Sequence, residues 1–256
     1  MTYVGTTRRF GDKTPDELAS HIWMHGGESS SINYARLENS HVARVIKADA
    51  RGRVARLFLP RVWPGPLSIL TMPGLKWAFE REILGYREVD LKKEDGHPQR
   101  THIASIEWDE AIFRCALGFI PKGEDDDIIQ VQAPEFASDS YRTKQIARYH
   151  RGRFEDLAEW YVTSDYSFDA AWLDFSGPVS MARMVAIQRF WLSSIKWRLV
   201  VTAMNARWDA DASAAIARAG GITEWFVKSL PGAQLILDDR YQSAHTPMLQ
   251  IGVDRT

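Results

Sequence analysis

The stretch from Ser167 to Asp209 constrains this chain more than any other. Phe168-Asp-Ala-Ala-Trp-Leu-Asp174 is an apolar run that ends on a carboxylate, and Phe175-Ser-Gly-Pro178 turns the chain tightly behind it. A helical segment follows, and Trp197-Arg-Leu-Val-Val-Thr-Ala203 is a second apolar run rich in β-formers. Strand, turn, helix and strand in this order predict a βαβ unit. Ligands of open α/β sheets bind beyond the carboxyl ends of such strands, so Asp174 is expected at a ligand site.

The rest of the chain extends the pattern. Pro64-Gly-Pro66 is strong punctuation, and the run Leu67 to Met72 behind it has the length of a buried strand. Pro73-Gly74 turns the chain into a helical segment from Leu75 to Leu84. Thr101 to Ile106 reads as the next strand, ending in Glu107-Trp108-Asp109 before a helix from Glu110 to Leu117. Asp127 to Gln132 reads as a third strand, and a long helix is expected from Ser138 or Asp139 to about Tyr161. After the βαβ unit come an Ala-rich helix from Asp211 to Gly220 and a shorter one from Thr223 to Leu230. Ala233 to Leu237 and Pro247 to Val253 then flank Tyr241 to Thr246 as a terminal hairpin. Five strand–helix alternations closed by an antiparallel pair predict an α/β fold, a mainly parallel doubly wound sheet with a C-terminal antiparallel hairpin. That domain spans 66–256. Residues 1–65 read instead as a helical appendage. Thr14-Pro-Asp-Glu17 is a helix start, and Ser29-Ser-Ser31 is a candidate cap for a second helix with Ile32, Ala35, Asn39, Val42 and Val45–Ile46 on one mostly apolar face.

Composition narrows the class. With 256 residues, 45% hydrophobic and 25% charged, this is a globular chain long enough for one large α/β domain and an appendage. A net charge of −1 gives no global field towards nucleic acid or membrane. Cys115 stands alone, which excludes a disulfide framework and a cysteine-rich zinc site and makes it a small core side chain. His21 and His25 stand four apart without an evident third ligand, so no metal is expected. No signal-peptide pattern or membrane-length apolar run is present, and a cytoplasmic setting is expected. There is no Gly-x-Ser-x-Gly elbow, no phosphate-binding loop and no glycine fingerprint for a nicotinamide cofactor.

The element order and three strand ends resemble the class I S-adenosylmethionine-dependent methyltransferase fold over about residues 66–254. The first strand end is Leu70-Thr-Met-Pro-Gly74. The resemblance implies that Met72, Pro73 and Gly74 approach the methionine part of S-adenosylmethionine, although the family's turn is richer in glycine. The second is Ile106-Glu107, where the family's carboxylate accepts hydrogen bonds from the ribose hydroxyls, with Trp108 beside it to cover the adenine. The third is Asp174-Phe175-Ser-Gly-Pro178. Amino-methylating members carry an acid or Asn, two prolines and an aromatic at this point, and their backbone carbonyl and side chain receive the target amine. Here the acid and the aromatic are kept and the Pro-Pro pair is absent, so Asp174 and Phe175 are the implied acceptor-positioning residues.

Local charge suggests the acceptor. Between His41 and Trp63 stand six cations, among them Arg51, Arg53 and Arg56, against the single acid Asp49. Between Ser140 and Phe154 stand Arg142, Lys144, Arg148, Arg151 and Arg153 with no acid. Together these segments, with Trp63, Trp108 and Trp208 as stacking surfaces, fit a nucleic-acid groove. Trp172, Trp191 and Trp197 fall at apolar positions and are expected in the core. The expected activity is methyl transfer to a nucleic-acid base or a similar amine. The competing reading is a catalytically inactive binding or assembly protein on the same fold, which the single-glycine turn and the missing Pro-Pro pair favour.

Overall fold

In a computed structural model of the chain the described residues are 41–58, 67–72, 79–80, 83, 101–107, 130–131, 146–164, 166–243 and 246–256. Their strands, in chain order, are β1 (Leu67–Thr71), β2 (Thr101–Glu107), β3 (Gln130–Val131), β4 (Ile146–Arg151), β5 (Phe168–Asp174), β6 (Ile195–Met204), β7 (Ala233–Ser243) and β8 (Thr246–Arg255). The helices are α1 (His41–Ala55), α2 (Phe154–Thr163), α3 (Met181–Ser194), α4 (Ala210–Ala219) and α5 (Ile222–Ser229). The chain divides into two compact units, the second formed by Leu67–Met72 with Arg153–Thr256 and the first by the remainder.

In the first unit, α1 runs into a 3-10 turn at Arg56–Phe58 and buries Ala50, Val54 and Ala55. Phe58 meets Phe79 edge-on, with ring centroids 6.0 Å apart. The strands lie in the order β3, β4, β2, all parallel. Here the structure corrects the sequence reading: within the long helix expected from Ser138 or Asp139 to about Tyr161, Ile146–Arg151 is a strand. Ile146–Arg151 pairs with β2 from Ile103↔Ile146 to Glu107↔Arg151 and with β3 through Tyr149 and His150. Its polar Arg148, His150 and Arg151 hide the strand, because β-pairing is rewarded by neighbours that local composition does not show. Gly152 then separates it from α2, which starts at Phe154.

The second unit contains the βαβ unit read from the sequence, with β5 at the expected bounds. Its strands lie in the order β1, β5, β6, β8, β7. The first three are parallel, while β8 runs antiparallel to both β6 and β7. This is the expected mainly parallel α/β sheet with an antiparallel C-terminal pair. Strand β5 is apolar on both faces because both are covered, as inner parallel strands require. Its one interior acid, Asp169, takes the Ser68 N–H at 2.8 Å and so ties β5 to β1. Phe154 and Tyr161 of α2 meet Phe190 of α3 and Phe168 of β5 at centroid distances of 5.2–5.9 Å. Such pairs are worth about 0.5–1.5 kcal/mol each beyond the area they bury.

Local signals explain the other helices. Ser180 caps α3, its hydroxyl accepting from the Arg183 N–H at 3.1 Å. Gly220 ends α4 at φ +97°, a left-handed position that suits glycine, and its N–H reaches the Ile216 and Ala217 carbonyls. Helix α5 buries Ile222, Trp225 and Phe226. The terminal strands are longer than expected, since Tyr241, Gln242 and Ser243 pair with Met248, Pro247 and Thr246 instead of forming a loop. Trp172 and Trp191 are buried as expected, but Trp197 is 55% exposed. It stands where the β5–β6 register shifts, just ahead of Arg198, and the irregularity turns it away from the core. No helix among the described residues is long and apolar enough to cross a membrane.

The expected helices before residue 41 and at 110–117 lie outside the described residues, as do His21, His25, Trp63, Pro73, Gly74, Trp108 and Cys115. Of the helix expected at 75–84, Phe79, Glu80 and Ile83 are described and are helical.

Candidate active site

Asp174 is the last residue of β5 and is exposed there. The turn behind it is braced from three directions. Phe175 N donates to the Thr202 carbonyl at 2.8 Å, and Met204 N donates to the Gly177 carbonyl at 3.1 Å, so β6 pins both sides of the bend. Arg183, one turn into α3, donates to the Pro178 carbonyl at 3.0 Å and pairs through Nε with Glu155 of α2 at 2.6 Å. Asp209, beyond β6, accepts from Met181 N at 2.9 Å and from Ala212 N at 2.7 Å, capping α3 and α4 with one carboxylate. These two backbone bonds, the Ala212 bond foremost, hold its pKa below 3.8. The acid at the strand end is therefore presented by a turn with little freedom to move.

Phe175 does something different from Asp174. Its ring is buried, edge-on to Phe154 at 5.6 Å, with the Arg183 guanidinium 4.3 Å above it. Its side chain is committed to the packing of α2 and α3. What it leaves at the strand end is backbone.

In the first unit, Glu107 closes β2 and is half-buried. Its carbonyl takes the Gly152 N–H at 3.0 Å, one step past its register partner Arg151. The carboxylate thus stands at a strand end fixed by backbone pairing. In the second unit, Met72 follows β1 and is half-buried.

The basic residues are distributed unlike the helical faces the sequence suggested. Arg148 and Arg151 lie on β4, paired on both sides by β2 and β3, while Arg153 is the exposed residue before α2. On α1, Arg51 is half-buried and Arg53 pairs with Asp49 one turn earlier; Arg56 follows the helix and is exposed. Trp208 is half-buried.

Two polar residues near Asp174 escaped the sequence reading. Thr202 is the register partner of Asp174 in β6, and Gln250 is the partner of Thr202 in β8. Both are buried among apolar neighbours. Trp172 Nε1 donates to Thr202 Oγ1 at 2.9 Å, and Gln250 Nε2 donates to the same oxygen at 3.2 Å. The signal available beforehand was a lone amide in Met248-Leu-Gln-Ile251, a strand apolar on either side.

A shallow groove of about 170 Å³ between α2 and α3, lined by Glu155, Ala158, Val185 and Arg189, opens on the helical layer instead of at the strand ends. Among the described residues no three potential ligands gather to hold a metal ion.

The chain is similar to solved structures of methyltransferases. A magnesium protoporphyrin IX methyltransferase from Synechocystis PCC 6803 superposes with a TM-score of 0.52 in its S-adenosylmethionine-bound form, at 9% identity, over 93% of this chain and 97% of that one. Its S-adenosylhomocysteine-bound form gives a TM-score of 0.54 at 8% identity, over 93% of this chain and 100% of that one. A Listeria monocytogenes protein described as a class I S-adenosylmethionine-dependent methyltransferase gives 0.50 at 11% identity, over 96% of this chain and 70% of that one. The chain has the class I methyltransferase fold. No protein-family model matches the sequence, and no curated protein matches it.

Proposed function

We propose that this protein is an S-adenosylmethionine-dependent methyltransferase whose acceptor is an amine, of the kind carried by a nucleic-acid base. The observation that carries this reading is the exposed Asp174 at the carboxyl end of a parallel strand, on a turn braced by Thr202, Met204 and Arg183. The residues present suit the cofactor: Glu107 is a half-buried carboxylate at a strand end, able to accept from two ribose hydroxyls, and Met72 follows β1. S-adenosylmethionine, held there, would supply an electrophilic methyl group for transfer to the acceptor's nitrogen lone pair, with the cofactor's thioether as leaving group and the displaced proton lost to solvent.

In this reading the chain's residues orient more than they react. Asp174 accepts from the acceptor's N–H and aims the lone pair, and the backbone at Phe175 supplies the second contact. Positioning of this kind is enough for an in-line displacement, which needs no catalytic histidine. Glu107 holds the ribose, with Trp108, Pro73 and Gly74 completing the cofactor contacts. The cations at Arg51, Arg53, Arg56, Arg148, Arg151 and Arg153 serve a nucleic-acid acceptor, and a cytoplasmic setting suits a chain with one cysteine. In the same reading residues 1–65 are a helical appendage and 66–256 the catalytic domain.

The second reading is a binding or assembly protein that has lost the activity, and the burial of the Phe175 ring favours it. Calorimetry with S-adenosylmethionine and S-adenosylhomocysteine separates the two. Binding of both, followed by transfer of labelled methyl to nucleic acid, is the expected result; absence of binding at millimolar ligand removes the enzyme reading.

A further inference from the structure

The loop that follows β6 holds a strained residue. Arg207 stands at φ +61° and is the one non-glycine with positive φ among the described residues. A side chain in that left-handed region costs stability, and such residues cluster where a ligand is held. The loop has little freedom to relax. Asn205 N donates to the Pro247 carbonyl at 2.8 Å, and the Asp209 carboxylate is tied to Met181 N and Ala212 N. Glycine at 207 would follow the same backbone path at no steric cost, so local structure does not account for an arginine.

No partner accounts for it either. Arg207 is exposed, and among the described residues its guanidinium makes no hydrogen bond, ion pair or ring contact. Trp208 beside it is half-buried, and its indole N–H likewise has no hydrogen-bond partner among the described residues. Arg183, by contrast, is fully engaged by Glu155, Pro178 and Phe175. Guanidinium and indole are donors only, and one of them is always charged, so together they suit an oxyanion.

Position ties this loop to the acceptor end of the sheet. Segments 174–181 and 202–209 run side by side past the strand ends, joined at Phe175–Thr202, Gly177–Met204 and Met181–Asp209. Arg207 lies between the second and third links, at most about 11 Å of chain from Met204. Both segments leave the carboxyl ends of neighbouring parallel strands, where ligands of such sheets bind. Met181 N and Ala212 N, at the starts of α3 and α4, are already taken by Asp209, which leaves side chains to serve an anion here.

We propose that Arg207, with the Trp208 indole N–H, binds an oxyanion of the acceptor, a carboxylate or a phosphate, while Asp174 receives its nitrogen. This rests on the methyltransferase reading and deepens it: the acceptor carries an amine and an anionic group in one molecule. Neutral and purely cationic amines are disfavoured. The planar fork of Arg207 gives two parallel bonds to either oxyanion, which a lysine cannot match.

The test uses the full chain, isotope-labelled at tryptophan indole nitrogens and saturated with S-adenosylhomocysteine. Trp208→Phe identifies the Trp208 resonance by its disappearance. Sodium phosphate and sodium acetate are titrated in separately, against sodium chloride at equal ionic strength. The expected result is a saturable Trp208 shift with phosphate or acetate and none with chloride. The anion that saturates at the lower concentration tells a phosphate-bearing acceptor from a carboxylate-bearing one. Arg207→Gly should weaken this binding about tenfold or more, and Arg207→Lys less, while S-adenosylhomocysteine affinity stays within about twofold in both. Arg207→Gly should also melt no lower than wild type, because glycine suits φ +61°. If S-adenosylhomocysteine binds but the Trp208 resonance stays fixed, follows chloride, or moves equally in Arg207→Gly, this assignment is overturned and the methyltransferase reading stands. A lower melting temperature in Arg207→Gly would show that the arginine is kept for packing, and overturns it as well. If S-adenosylhomocysteine itself fails to bind, the methyltransferase reading falls and takes the assignment with it.

Discussion

Arg198 in β6 and Asp254 in β8 face each other directly across an antiparallel pair, with Nε–Oδ1 and Nη2–Oδ2 both at 2.6 Å. The guanidinium is almost wholly buried, its side chain 9% exposed against 33% for the carboxylate. A two-point pair of this kind fixes register as well as energy, because sliding β8 by one residue would place Asp254 on the other face.

Removing the carboxylate should therefore cost more than an exposed ion pair would. Asp254→Ala is expected to destabilise the protein by about 1.5–3 kcal/mol, as for hydrogen bonds to charged groups. The double variant Asp254→Ala with Arg198→Met should recover part of that loss, since no buried charge is then left alone. Urea unfolding of the two single variants and the double variant measures both; strict additivity would show that the pair is not coupled.

Asp209 makes stability depend on acidic pH. Its folded pKa lies below 3.8, so its contribution is present above that value and is lost as pH falls through the lower folded value. Asp209→Asn keeps one acceptor and loses the charge. It should melt below wild type at neutral pH, and the gap should close at pH values under the folded pKa. Thermal melts across that range decide it, and a constant gap would mean that the charge is irrelevant to the two caps.

Glu107 tests the cofactor assignment. Glu107→Ala should remove charge-assisted bonds of about 1.5–3 kcal/mol and weaken S-adenosylmethionine binding some ten- to a hundredfold. Glu107→Gln should fall between, keeping one acceptor. The strand end itself stays fixed in both variants through the backbone bond from Gly152. Wild-type affinity in Glu107→Ala, measured by calorimetry, would mean that another acid does this work.

The cations of α1 and its 3-10 extension make a separable prediction. If they neutralise phosphates, reversing Arg51 and Arg56 to Glu should weaken nucleic-acid binding. On duplex DNA the salt slope should also fall by about 0.9 for each phosphate left without its cation. Arg53 is a poorer choice, because reversing it also breaks its pair with Asp49. An unchanged slope in a salt titration would leave these residues as a solvated helix face.

How far the sequence reveals this fold depends on how completely each element states its own reason. β5 is readable to the residue, because an inner parallel strand must be apolar on both faces and the carboxylate Asp174 marks where cover ends. Likewise α4 carries its own stop in Gly220. β4 is illegible for the opposite reason: its justification is pairing with β2 and β3, and Arg148, His150 and Arg151 give no apolar stripe. The place of Asp174 at the end of β5 is legible from the sequence alone. The burial of Phe175 depends on Phe154 and Arg183, and the pairing of Thr202 with Gln250 joins residues 48 apart in sequence. Neither could be seen before the strands were in order.

The place of β8 has a consequence for how the second unit comes to exist during synthesis. β7 is made first but pairs only with β8, which inserts between it and β6. Until residues 246–255 leave the ribosome, β7 has no neighbour and β6 shows one bare edge, a sticky surface for other nascent chains. Gln250 and Asp254 both belong to β8, so the Gln250–Thr202 bond and the Arg198 clamp alike wait for that strand. Any lesion that cuts the chain before Thr246 would therefore strand two elements instead of one, and would be expected to yield aggregate in place of a shortened protein.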